Sequence, residues 1–168
     1  MAKIIVLCRF QKSAKDIADL IRYMATREGV EKLPNTKKYT FADNNLNQII
    51  LSAFKTNEIT KYARKFSIEH YFEDILGTQN IVMESKTVRG RRYMQEHGFV
   101  PEQTVYIGDT VHDYDTACGL GVDCILFSGG QQSPRLLQQC GLPVYDNFVD
   151  IENAICFRDR LILFGDNP

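Results

Sequence analysis

Val105-Tyr106-Ile107-Gly108-Asp109-Thr110-Val111-His112-Asp113 reads as a β-strand that runs into a tight turn and presents two carboxylates four residues apart. Val, Tyr and Ile suit the pleated, half-buried surface of a sheet. The Gly-Asp-Thr that follows breaks the strand. Two carboxylates at the carboxyl end of a strand make a hard-oxygen site of the kind that holds Mg²⁺. In open α/β sheets the ligand crevice lies at that same end.

Downstream of this stretch, Asp113 is expected to open a helix that stops near Gly119 to Gly121. Val122 to Phe127 is the next strand, and Gly129-Gly130 is a turn after it. Pro134 to Cys140 reads as a short helix, Val144-Tyr145 as a last short strand, and Asp150 as the cap of a further helix. Leu161 to Phe164 fits either a strand or a helix end.

Upstream, Ser85 caps a helix that runs to His97 and closes at Gly98. Ile81-Val82 is a short extended piece, and Tyr71-Phe72 with Ile75-Leu76 are apolar anchors before Gly77. Thr56 or Asn57 caps a helix to about Phe66, and Gln48 to Ala53 is a short buried strand. Lys3 to Phe10 holds the apolar run Ile4-Ile5-Val6-Leu7, a strand by its β-branched content. Ser13 caps the helix after it, with Ile17, Leu20, Ile21 and Met24 on one face and Gly29 at its end. The stretch 31–38, with Pro34, is a loop or linker.

Strands that alternate with helices specify an α/β fold, a three-layer sandwich with a mainly parallel sheet. No large cap domain is expected, because no long helical insertion separates the first strand from Ser52. The chain divides into an atypical N-terminal strand and helix, residues 1–38, which completes the sheet, and a core domain, residues 39–168.

The 168 residues are 44% hydrophobic and 24% charged, with a net charge of −1. Such a chain can bury a sizeable core. Its field suggests neither a nucleic-acid nor a membrane partner. No apolar run reaches the ~18 residues of a membrane span, and no signal-peptide signature follows Ile4 to Cys8, which places the chain in the cytoplasm. The short basic cluster Arg89, Arg91, Arg92 reads as a solvated helix face. Five widely spaced cysteines, Cys8, Cys118, Cys124, Cys140 and Cys156, contain no Cys-x-x-Cys pair and argue against a disulfide framework or a zinc site. Most of them are expected to be small buried hydrophobes.

Three further features meet at strand ends or helix starts. Ser52 ends the Ile49-Ile50-Leu51 strand, Lys86 begins a helix, and Asp109 and Asp113 follow the third strand. A hydroxyl, an ammonium and two carboxylates at one sheet edge suit a phosphoryl group with Mg²⁺. Lys86 stands in a first helical turn, where a cation opposes the helix dipole and needs an anionic partner. His112 reads as a loop residue near the substrate entrance.

From about Gln48 to Ile155 the sequence resembles the haloacid dehalogenase (HAD) superfamily, in its phosphoglycolate-phosphatase-like branch. The family's second motif resembles Ile49-Ile50-Leu51-Ser52, its third-motif lysine Lys86, and its fourth motif Gly108-Asp109-Thr110-Val111-His112-Asp113. The phrase Gly119-Leu120-Gly121-Val122 is also similar. The resemblance implies a HAD-like, Rossmannoid sheet and Mg²⁺-dependent hydrolysis of a small phosphorylated metabolite. It implies that Ser52 and Lys86 hold the phosphoryl group as catalytic residues, that Asp109 holds Mg²⁺ and that Asp113 supports the metal.

The first motif of that family is a strand ending Asp-x-Asp, whose first Asp attacks phosphorus and whose second acts as acid and base. Here the early strand continues as Cys8-Arg9-Phe10, without a carboxylate. Asp16 and Asp19 fall inside the first helix, and Asp43 lies too close to Ser52 for a parallel crossover. Hydrolysis is therefore expected to be impaired. The alternative reading is a non-catalytic binding or DNA-mobilisation-associated module. Ala2 to Val6 together with Arg22 to Glu31 resembles the start of MobP-type plasmid relaxases. His70, His97 and His112 do not form the histidine cluster such an enzyme needs.

Overall fold

The computed structural model describes residues 3–6, 47–79, 84–147, 150–151 and 154. Its strands are β1 (Lys3–Val6), β2 (Asn47–Lys55), β3 (Asp74–Thr78), β4 (Thr104–Gly108), β5 (Asp123–Phe127) and β6 (Val144–Tyr145). Its helices are α1 (Thr56–Lys65), α2 (Lys86–Glu96), α3 (Val111–Leu120) and the single turn α4 (Pro134–Leu137). The strands form one sheet in the order β3-β2-β1-β4-β5-β6. Every pairing is parallel. All carboxyl ends therefore lie on one edge, toward which the second half of β2 carries Ser52 and at which Asp109 follows β4.

Side chains alternate across this sheet because successive residues of a strand point to opposite faces. Ile50, Ile107, Ile125 and Phe127 pack on one face with Ile59 and Ala63 of α1 and with Ile151. Ile49, Leu51, Tyr106, Cys124 and Leu126 pack on the other with Tyr93 and Met94 of α2, Ala117 and Leu120 of α3, and Leu137 of α4. Helices on both faces make the three-layer α/β sandwich. Ile49, Ile50 and Leu51 are each fully buried. At about 1.5–3 kcal/mol per such side chain, β2 is fixed from both sides.

β1 is a central strand, not an appended one. It pairs with β2 and β4 at once, with Val6 opposite Ile50 on one side and Ile107 on the other. The first helix, the 31–38 stretch, Asp16, Asp19, Asp43, Cys8, Phe10, Ile81-Val82, Cys156 and Leu161 to Phe164 lie outside the described residues.

Several local expectations change. Asp74–Thr78, read from sequence as apolar anchors, is the edge strand β3. Its Ile75 and Leu76 sit on opposite faces of a strand only five residues long, too short to show an alternating pattern. Ser52 does not end its strand, because β2 continues to Lys55 past a register shift between Leu51 and Lys55. The Ser52 hydroxyl accepts a hydrogen bond from the Phe54 N–H at 3.2 Å, a local bond that competes with the ladder. α1 begins at Thr56 with Lys55 in the cap position and no side-chain cap. Ser85 does cap α2, accepting from the Val88 N–H. Of the three described cysteines, Cys124 is buried, Cys140 is intermediate and Cys118 is exposed, so only the first behaves as a buried hydrophobe.

Candidate functional site

Asp109 follows the last residue of β4, and the chain turns at once into α3. Thr110, not Asp113, caps that helix. The Thr110 hydroxyl accepts from the Asp113 N–H at 3.2 Å, and Asp113 Oδ2 accepts from the Thr110 N–H at 3.0 Å, a reciprocal capping box. The same Oδ2 accepts from the Thr110 hydroxyl at 2.7 Å and from the Asp109 N–H at 3.1 Å. A carboxylate in the first turn also complements the helix dipole. His112 is consequently not a loop residue; it lies within α3 and is exposed.

Lys86 meets this carboxylate from α2. Its Nζ lies 2.5 Å from Asp113 Oδ1, with Asp113 fully buried and Lys86 5% exposed. The anion that a lysine in a first helical turn requires is therefore Asp113. Both Asp113 oxygens are engaged, one by Lys86 and the other by three donors of the Asp109-Thr110 turn. Gly108 makes the arrangement possible, since a Cβ there would collide with the Asp113 side chain.

Asp109 is only 4% exposed, and its environment is different. Oδ2 accepts from the Gln131 N–H at 2.6 Å. Oδ1 is buried without a hydrogen-bond partner. Burial raises the Asp109 pKa above its ordinary value, the Asp113 charge adds to the rise, and the Gln131 N–H opposes it. A buried, unpaired carboxylate oxygen is costly unless a cation or a proton meets it. That orphaned hard oxygen fits Mg²⁺, which takes one or two carboxylates and keeps several waters. Among the described residues no group of three His, Cys, Asp or Glu side chains forms a fuller cage.

Ser52 is fully buried, and its carbonyl accepts from Arg89 Nη2 at 2.7 Å. Arg89 corrects the sequence reading of a solvated basic cluster. It is 7% exposed, whereas Arg91 and Arg92 are exposed. Burial lowers its pKa, against the pull of Glu84. Arg89 stands three residues after Lys86 on α2, so both cations share one helix face. That spacing was the available signal for Arg89. A cavity of about 580 Å³ lies between β3 and α2, with Leu76, Arg89 and Tyr93 in its wall. Ser52, Lys86, Asp109 and Asp113 do not line it.

Two further residues escaped the sequence reading. Gln131 and Gln132 follow β5 and contact the Asp109 turn, the second through its side chain, whose Oε1 accepts from the Val111 N–H at 2.6 Å. Gly129-Gly130 was the signal: a Cβ at Gly130 would collide with the Asp109 carboxylate.

The strand registers align the remaining position. Val6, Ile50 and Ile107 stand side by side, and two residues beyond them in sequence come Cys8, Ser52 and Asp109. Cys8 thus occupies the sequence position that corresponds to the two site residues on the neighbouring strands.

The family model for haloacid dehalogenase-like hydrolases matches residues 9–127. No curated protein matches the sequence. Among solved structures, a haloacid dehalogenase-like family hydrolase from Streptococcus pneumoniae superposes with a TM-score of 0.66 at 15% identity, over 92% of this chain and 98% of that one. A predicted phosphatase from Clostridium acetobutylicum gives 0.69 at 12% identity, over 93% and 99%. A predicted phosphoglycolate phosphatase from Haemophilus somnus gives 0.59 at 18% identity, over 67% of this chain and 51% of that one. The fold is common to all three, and with the family match extending over most of the sequence, the chain belongs to the haloacid dehalogenase-like hydrolases.

Proposed function

We propose that the chain is a Mg²⁺-dependent phosphate-monoester site whose hydrolytic step is impaired for want of a carboxylate nucleophile. Asp109 is the metal ligand, through the oxygen that has no protein partner. Asp113 supports it by fixing the turn and by holding Lys86. Ser52 and Lys86 face the phosphoryl group of a small phosphorylated metabolite. When bound, Mg²⁺ offsets negative charge on that group. Lys86 adds a second positive charge beside it, and its short ion pair orients the ammonium.

One observation carries the proposal. Val6 pairs with Ile50 and Ile107, and in sequence Cys8 follows Val6 at the interval at which Ser52 follows Ile50 and Asp109 follows Ile107, with Phe10 two residues further along the sequence. A thiol is a poor Mg²⁺ ligand, and a phenyl ring cannot move a proton. The scaffold therefore keeps the residues that bind and has exchanged those that attack. The names of the structural neighbours, which include phosphatases, support the substrate class.

The test is hydrolysis of an aryl phosphate by the whole chain with Mg²⁺, beside Asp109→Asn. No turnover in either protein, with Mg²⁺ bound only by the unaltered chain, is the expected result. Turnover that Asp109→Asn abolishes would mean that a replacement nucleophile exists, with Cys8 the first candidate.

A further inference from the structure

Apart from its N–H, which Asp113 Oδ2 accepts, Asp109 is gripped by one segment. Its Oδ2 takes the Gln131 N–H at 2.6 Å, its carbonyl takes the Gln132 N–H at 3.4 Å, and Gly130 lies against its side chain. All three contacts come from the segment that follows β5, and β5 is the neighbour of β4. The segment also holds the turn through the side chain of Gln132. Its Oε1 accepts from the Val111 N–H at 2.6 Å, one of the first-turn donors of α3 that has no partner within the helix.

We propose that Gln132 is the positioning residue of the metal carboxylate: by binding Val111 it clamps the Gly130–Gln132 segment onto the Asp109 turn and so points Asp109 Oδ1 at the cation. The chain of contacts is short. Val111 holds the Gln132 side chain, Gln132 holds Gln131 through one peptide bond, and the Gln131 N–H holds Asp109 Oδ2. With Oδ2 fixed, the carboxylate cannot turn about its terminal bond, and Oδ1 is the oxygen left to ligate. Partners of this kind, outside the ligand set, orient a ligating group and tune its affinity. The proposal rests on Asp109 being the metal ligand.

The experiment pairs two measurements on the whole chain, Mg²⁺ titration by calorimetry and amide hydrogen exchange at Val111 and Gln131. Gln132→Leu keeps the bulk of the side chain and removes the acceptor. Gln132→Glu keeps an acceptor oxygen. The expected result is that Gln132→Leu weakens Mg²⁺ binding about ten- to a hundredfold, with exchange at both amides accelerated and the thermal midpoint unchanged. Gln132→Glu restores the affinity and the protection.

Equal Mg²⁺ affinity in Gln132→Leu and the unaltered chain overturns the proposal. So does failure of Gln132→Glu to rescue, because the side chain would then act other than as an acceptor. Absence of Mg²⁺ binding in the unaltered chain would sink the metal reading instead. The exchange data then judge the clamp alone, and unaltered protection in Gln132→Leu would overturn it.

Discussion

Lys86 Nζ and Asp113 Oδ1 form an ion pair at 2.5 Å with both side chains removed from solvent. Asp113 uses its other oxygen to hold the Asp109-Thr110 turn. The pair therefore ties α2 to the first turn of α3 and, through Asp113, to the turn that carries Asp109. Removing one partner from such a pair strands a buried charge. Lys86→Met is expected to lower stability by about 3–5 kcal/mol, read from urea unfolding. A loss no larger than the ~0–1 kcal/mol typical of exposed pairs would show that the pair is solvated.

Arg89 and Arg92 stand one turn apart on α2 with opposite fates. Arg92 meets Glu84 at 2.8 Å with 55% and 31% of the side chains exposed, so Arg92→Ala should cost about 0–1 kcal/mol. Arg89 is buried and donates to the Ser52 carbonyl, so Arg89→Ala should cost about 1.5–3 kcal/mol from the charged hydrogen bond alone. Denaturant midpoints of the two variants decide it. Equal losses would contradict a buried hydrogen bond from Arg89 to the Ser52 carbonyl.

Asp109 gives the chain a pH dependence in the absence of metal. Burial raises its pKa in the folded state above the ordinary 3.8. A raised carboxyl binds its proton more tightly when folded, so its contribution is full below the unfolded value and lost as pH rises through the folded one. At neutral pH the metal-free chain therefore carries an unfavourable buried charge. Asp109→Asn should melt at a higher temperature than the unaltered chain at pH 7, and the gap should close on acidification. Mg²⁺ should raise the midpoint of the unaltered chain alone. An Asp109→Asn variant that is less stable at pH 7 would refute the desolvated carboxylate.

Gly108 and Gly130 are needed for close approach to the two site aspartates. At Gly108 a Cβ meets the Asp113 side chain, and at Gly130 it meets Asp109. Gly108→Ala should cost about 1–3 kcal/mol through overpacking beneath a buried pair. Gly130→Ala would press on the Asp109 carboxylate itself, so Mg²⁺ affinity should fall by more than stability does. Melting curves with and without Mg²⁺ separate the two, and retained affinity in Gly130→Ala would contradict the contact.

The strands with apolar runs were legible in the sequence, and Ile4 to Val6, Ile49 to Leu51, Val105 to Ile107 and Cys124 to Phe127 all lie in the sheet. The helix start was legible within a few residues, but Asp113 was expected to open it, whereas Thr110 is the cap and Asp113 its capping-box partner. Short edge elements did not show. β3 has five residues, and its identity comes from pairing with β2, which no local pattern encodes. Arg89 looks like Arg91 and Arg92 in the short basic cluster, and only the helix phase separates it as the one that reaches Ser52. Gln131 and Gln132 lie more than twenty residues from the turn they grip, a relation that only the adjacency of β4 and β5 creates.

The most direct test of the central claim is a calorimetric titration of Mg²⁺ into the whole chain and into Asp109→Asn. Saturable binding in the unaltered chain that disappears in Asp109→Asn is the predicted result, with Asp109 Oδ1 as the ligand. Equal binding by both proteins, or none by the unaltered chain, would contradict a metal site built on Asp109.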